Sequence, residues 1–169
     1  NTPWQNRAWQ REHIFNGIKE ASLDDYIMFS DPDEIPNPLK LKDFKLKKKF
    51  GIFFQKMFTY KMNLFNKYET PWEGTRICKK KDLKSIDWLR HKVLYKNLKY
   101  GFWRIDKEKN IEIIDDGGWH FNYLLKPHEI SKKFKSLAET SWDDEKYYDE
   151  KTIKEKIEKK IDLFDRGHV

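Results

Sequence analysis

A chain of 169 residues fits one domain and can bury a core, and at 16% aromatic with seven Trp it folds despite being 37% charged. Its single cysteine, Cys78, excludes an internal disulfide and any Cys-based metal site. A net charge of +7 points to an anionic partner (nucleic acid, a membrane surface or a phosphorylated small molecule), but lysine carries most of it along the whole chain, whereas nucleic-acid sites favour Arg forks.

In chain order, residues 6–21 place Ala8, Arg11, Ile14, Phe15 and Ile18 near one face at helical spacing. "YIMFS" (26–30) is a short apolar run suited to a buried, central strand. "NPLKLKDF" opens with Asn37 as an N-cap and Pro38 at the first helical position. "GIFFQKMFTYKM" (51–62) reads as a strand or two, and "WEGTRICK" (72–79) as a turn at Gly74 followed by a short strand. "KDLKSIDWLRHKV" (81–93) predicts a helix with Leu83, Ile86, Leu89 and Arg90 on one side. "GFWRI" and "IEIID" flank "DKEKN" as a hairpin. "GGWHFNYLL" (117–125) is a strand opened by two glycines, Pro127 starts a helix to about Leu137, and a charged helix lies near 149–163. Strands alternating with helices predict an α/β domain over residues 1–169.

The segment "SDPDEIP" (30–36) crowds three carboxylates where the first strand ends. Taken as extended chain, it aims Asp31 and Asp33 the same way, with Pro32 fixing the backbone. Two carboxylates at the end of a strand in an open α/β sheet stand where such folds bind ligands. Hard cations such as Mg2+ or Mn2+ take one or two carboxylates plus substrate phosphates. The alternative is a solvated turn whose Asp side chains make local hydrogen bonds.

"SDPDEIP", preceded by "QRE" (10–12) and "DDYIMFS" (24–30), and followed in order by "WEGTR" (72–76), "GGWHFNYL" (117–124) and the terminal "KFKSLAET" and "KIDLFDRG", resembles glycosyltransferase family 17. The resemblance implies a GT-A-like mixed sheet flanked by helices, here an incomplete domain, because the chain opens at Asn1 close to the helix before the acidic strand. It implies an inverting transfer of a sugar, GlcNAc foremost, from a UDP-sugar donor to a glycan acceptor with Mn2+ or Mg2+. In that reading Asp31, Asp33 and His120 hold the metal. An inverting transfer needs a carboxylate base, for which Glu34, Asp116 and Glu139 are the candidates, with Asp115 beside them; Asp115 and Asp116 lie outside the family pattern. Arg11, Trp72, Gly74, Gly117, Gly118 and Trp119 lie along the substrates. Lys79 and Lys80 are candidates for added positive potential near the turn.

Each of these residues has a plainer role open to it. His120 is either a ligand or a core imidazole. Trp119, alternating with His120 on a strand, is expected in the core, and Gly118 is expected to leave room for the diphosphate. Arg11 is expected to pair with the acidic turn. The lysine run 45–49 reads as a solvated face, with an anionic membrane or glycan as the other contact. The competing functions are a metal-dependent phosphoryl-transfer enzyme or nuclease, for which nucleic acid is a weak expectation, and a basic non-catalytic binding module. No signal or transmembrane segment is legible and the compartment stays open, the cytoplasm being expected for a microbial or viral chain and the Golgi lumen for a eukaryotic one anchored by a missing N-terminal part.

Overall fold

The computed structural model describes residues 3–136 and 147–169. The single domain suggested by length is organised as two compact units, residues 1–55 with 71–120, and residues 56–70 with 121–169. Among the described residues no helix is long and apolar enough to cross a membrane.

The first unit is α/β. Helix α1 spans Pro3–Ile14 and continues as a 3-10 turn, Phe15–Ile18. Ala8, Arg11, Phe15 and Ile18 are half-buried along it as the spacing predicts, but Ile14 is exposed. Strands β1 (Tyr26–Phe29), β2 (Glu34–Pro36), β3 (Phe50–Thr59), β4 (Trp72–Lys79) and β5 (Ile111–Asn122) form one sheet in the order β1-β4-β3-β5-β2; the last residues of β3 and β5 belong to the second unit. The pairs β1/β4, β3/β4 and β2/β5 are antiparallel. Between β3 and β5 the contacts rise together: Phe50 N–H donates to Asn110 O, a Cβ on Gly51 would meet Ile114, and one on Gly117 would meet Phe53. That pair is therefore parallel, and the sheet is mixed.

Strand β1 lies at an edge, not at the centre as its apolar run predicted; Ile27 and Phe29 are buried from one side while Tyr26 is exposed. The sheet curls. Its two edges, β1 and β2, are joined only by residues 30–33, and Trp72 on β4 hydrogen-bonds Glu34 on β2 at 2.9 Å. In a flat sheet those strands would stand about 14 Å apart, three spacings of about 4.8 Å.

Helices α2 (Pro38–Leu41) and α3 (Ile86–Lys92) are short. Asn37 caps α2 by accepting from Leu39 N–H at 3.0 Å, and Pro38 sits just inside, as predicted. Ser85 caps α3 by accepting from Trp88 N–H at 3.0 Å, and Glu12 of α1 accepts from Asp87 N–H at 2.8 Å. Residues 81–85, predicted as the start of that helix, are instead the end of a 3-10 turn and a loop. One face of the sheet buries Phe29, Phe50, Ile52 and Cys78 against Ile86, Leu89 and Val93; the other buries Phe53, Ile77 and Ile114 beneath Leu41, Phe44 and Leu46. Burial pushes the Cys78 thiol up to about 12.

Two more readings change. Gly74 marks no turn: β4 runs through it, and the register against β3 slips between Ile52 and Phe54, so the irregularity is a β-bulge. "GFWRI" forms no strand, and "IEIID" is continuous with "GGWHFN" as β5. No hairpin forms there because 101–110 is a chain of turns, with Arg104 N–H donating to Gly101 O and Lys107 N–H to Arg104 O.

The second unit packs α4 (Pro127–Ser136) and α5 (Glu150–Lys159) around Tyr60, Tyr123, Ile130, Phe134, Ile153 and Leu163. Asp149 caps α5 through Thr152 N–H at 2.7 Å, and Lys160, at φ 53°, ends the helix in the left-handed region. Fully buried Asp162 is held by Arg166 in two bonds, 2.7 and 2.8 Å, and by Asn66 at 3.0 Å. Burial acts to raise its pKa, and these donors outweigh it and lower it.

Candidate functional site

The acidic segment is not extended. Glu34 N–H donates to Asp31 O at 2.9 Å, closing a four-residue turn with Pro32 at its second position, where proline is favoured. In such a turn residues i and i+2 do not share a face as they do on a strand, and the two aspartates separate. Asp31 meets Arg90 Nη2 at 2.9 Å and Arg11 Nη2 at 3.8 Å. Asp33, whose side chain is 35% exposed, faces His120, with its Oδ2 3.7 Å from Nε2.

The turn is anchored on both sides. Ser30 and Thr75 hydroxyls meet at 2.6 Å, and β2 pairs with β5 so that Glu34 stands opposite His120, Ile35 opposite Trp119 and Pro36 opposite Gly118. Glu34 is the centre of the cluster. Its side chain is fully buried, and Oε1 accepts from Arg90 Nη2 and from Trp72 Nε1, both at 2.9 Å. Burial acts to raise the Glu34 pKa; His120, Arg90, Trp72 and the Asp31 backbone N–H outweigh it and hold the carboxyl below its ordinary value. The His120 Nδ1 stands 3.8 Å from Oε1, too long for a hydrogen bond in this geometry, and has no other hydrogen-bond partner. Trp72 lies between His120 and Arg90, with the His120 ring centroid at 4.7 Å and the Arg90 guanidinium 5.9 Å from its ring.

Arg90 and Arg76 are the residues that motif reading passed over. Arg90 reaches from α3 to the bulge, donating to Glu73 O at 3.0 Å and Gly74 O at 2.9 Å as well as to both carboxylates. Arg76 is almost wholly buried, donates to Val93 O at 3.0 Å and to the same bulge carbonyls, and pairs with Glu73 at 3.2 Å. Its burial, with Arg90 nearby, pushes its pKa down to about 10. One signal existed: Arg90 follows Ile86 by four positions, so it shares the apolar face of α3, and a buried guanidinium requires a buried acid.

The remaining candidates fall as follows. Arg11 reaches Asp31 as expected, and also Asp87 at 3.4 Å. Lys79 and Lys80 do not supply the turn's positive charge: Lys79 bonds Asp24 at 2.9 Å, and Lys80 bonds the Lys19 and Ala21 carbonyls. Space over the glycines is filled by protein. A Cβ on Gly118, at φ +133°, would lie 2.1 Å from Ile35 O, one on Gly117 2.9 Å from Phe53 Cα, and one on Gly74 2.0 Å from Gln55 Oε1. These glycines let strands and side chains close up, and Gly118 leaves no room above it. Trp119 is half-buried opposite exposed Ile35 rather than in the core, while its neighbour His120 is buried in the cluster. Asp115 and Asp116 are exposed on β5; Asp116, at φ 50°, accepts from Asn37 Nδ2 at its carbonyl, 3.0 Å. Glu139 lies outside the described residues. Lys45, Lys47, Lys48 and Lys49 are exposed, as a solvated run would be.

Among the described residues there is no group of three or more His, Cys, Asp or Glu side chains placed to hold one cation. Of the three predicted ligands, Asp33 and His120 face each other, Oδ2 3.7 Å from Nε2; neighbouring ligands of an octahedral ion stand about 3.0 Å apart, so the pair would have to close slightly to share one. Asp31 fits less well, because two guanidiniums already neutralise it. The chain matches no protein-family model, no curated protein and no solved structure.

Proposed function

We propose that the chain is a divalent-metal-dependent glycosyltransferase, transferring a sugar, GlcNAc foremost, from a UDP-sugar to a glycan acceptor with inversion. One observation carries the reading. The two segments most like family 17, "SDPDEIP" and "GGWHF", are far apart in sequence yet pair as neighbouring strands, with Asp33 3.7 Å from His120 at a solvent-reached edge.

Asp33 and His120 are the residues that would hold Mn2+ or Mg2+, which supplies a Lewis acid for charge on the departing diphosphate oxygens. Arg90 pairs with Asp31 and Glu34 and so braces the turn that presents Asp33. Glu34, buried and bonded to Arg90 and Trp72, orients this turn rather than reaching an acceptor hydroxyl. Of the candidate bases among the described residues, Asp115 and Asp116 are exposed whereas Glu34 is buried, and Asp116 takes the proton in this scheme. A second reading, a basic non-catalytic binding module, draws on the arginines that already satisfy Asp31 and Glu34.

Calorimetric titration with UDP, with and without Mn2+, tests the reading. Mn2+-dependent UDP binding that disappears in Asp33→Asn, with the melting curve unchanged, is the expected result. UDP affinity indifferent to both Mn2+ and Asp33 would overturn it in favour of the binding module.

A further inference from the structure

Residues 100–109 of the first unit put large apolar side chains where no core receives them. Phe102 is 89% exposed, Trp103 69% and Ile105 94%. Single exposed apolar residues are ordinary, but three within four positions make a contiguous patch that marks an interaction surface. The loop holds this shape by its own bonds. Arg104 N–H donates to Gly101 O at 3.1 Å and Ile105 N–H to Trp103 O at 2.9 Å, and the Lys109 ammonium donates to Gly101 O. The Trp103 ring lies so close over Gly101 that any Cβ there would fall within 2.5 Å of it.

Cations surround the patch. Residues 92–109 contain six Lys or Arg and two acids, a local charge of +4. Both acids are engaged: Asp106 accepts from Arg104 at 2.7 and 2.8 Å and pairs with Lys107 at 3.1 Å, while Glu108 accepts from Asn110 N–H at 2.9 Å. Lys92, Lys96 and Lys99 are exposed. Ile105 lines a polar recess together with Lys84, Lys92, Lys96 and Lys107 and with the two acids already engaged, Asp106 and Glu108.

We propose that this surface, Phe102, Trp103 and Ile105 with the lysines around them, docks the protein onto an anionic lipid bilayer. Aromatic and aliphatic tips enter the headgroup–acyl boundary while flanking lysines meet anionic headgroups, the combination that binds peripheral proteins to membranes. The inference is independent of the transferase reading, since it uses none of the residues around the acidic turn.

The test is co-sedimentation of the full chain with vesicles of phosphatidylcholine alone, or with about one third phosphatidylserine. Binding to the anionic vesicles only, weakening as salt rises, is expected. The triple variant Phe102→Ser/Trp103→Ser/Ile105→Ser should lower that partitioning at least about tenfold. Lys92→Glu/Lys96→Glu should lower it about as much, and both variants should melt like the parent because the changed side chains are exposed. Absence of vesicle binding would overturn the proposal, as would anionic binding left intact by the triple variant. Binding of a neutral oligosaccharide, or self-association without lipid, that is lost in the same variants would overturn it too.

Discussion

Replacing Arg90 with Met tests the account of the acidic turn most directly. The substitution keeps most of the side-chain volume but removes the guanidinium that contacts Asp31 and Glu34 at 2.9 Å and the bulge carbonyls at 2.9–3.0 Å. Arg90 is 10% exposed and the Glu34 side chain 0%, so solvent cannot replace the lost partner. Breaking one side of a buried pair costs about 3–5 kcal/mol. For a chain of this length that lowers the melting temperature by roughly 6–20 °C at pH 7. The pH dependence is the sharper readout. In the parent, Glu34 is held below its ordinary value near 4.5, so its contribution is complete above that pH and is lost as pH falls through the lower folded value. Without Arg90, burial dominates and raises the Glu34 pKa. The resulting penalty is then greatest at neutral pH and fades as pH falls through the raised value. The gap between parent and variant should therefore narrow from pH 7 to about pH 4.5, and Glu34→Gln added to the variant should recover part of the loss at pH 7. Thermal melts followed by circular dichroism across that range measure it. A variant within about 2 °C of the parent at pH 7, or a gap that does not change with pH, would refute the reasoning.

Gly118→Ala should destabilise by at least about 2 kcal/mol in urea titration, because φ +133° is strained for alanine and its Cβ would collide with Ile35 O. Asn37→Ala should cost about 1–2 kcal/mol, since it removes the α2 cap and leaves the Asp116 carbonyl without that donor. Cys78, fully buried with its thiol pushed up to about 12, should resist thiol reagents in the native protein and react only once urea unfolds it. Lower stability without altered structure, unchanged stability, and rapid native labelling are the respective outcomes to watch; the last two contradict their predictions.

Local rules were enough for several elements. Asn37 and Pro38 marked α2, the 3.6-residue spacing marked the half-buried stripe of α1, and Pro127 marked α4, because capping, φ restriction and amphipathic periodicity act within a few residues. The acidic cluster and the Gly-Gly-Trp-His segment were also legible as the places to look. How they are used was not. Asp31 and Asp33 separate because a hydrogen bond from Glu34 N–H to Asp31 O closes a turn, where an extended chain would have aligned them. Arg90 enters from a helix 56 positions after Glu34, and only the curl of the sheet brings Trp72, Glu34 and His120 within contact. "YIMFS" reads as central because an apolar run records burial, and burial does not distinguish an edge strand covered on one face from a strand inside the sheet. Likewise the glycines at 117 and 118 revealed that something approaches closely, while strand pairing decided that it is the backbone of β2 and the Phe53 segment of β3. Composition and periodicity are properties of short windows; ion-pair partners, strand order and the identity of a close neighbour depend on contacts between distant segments, which tertiary packing alone selects.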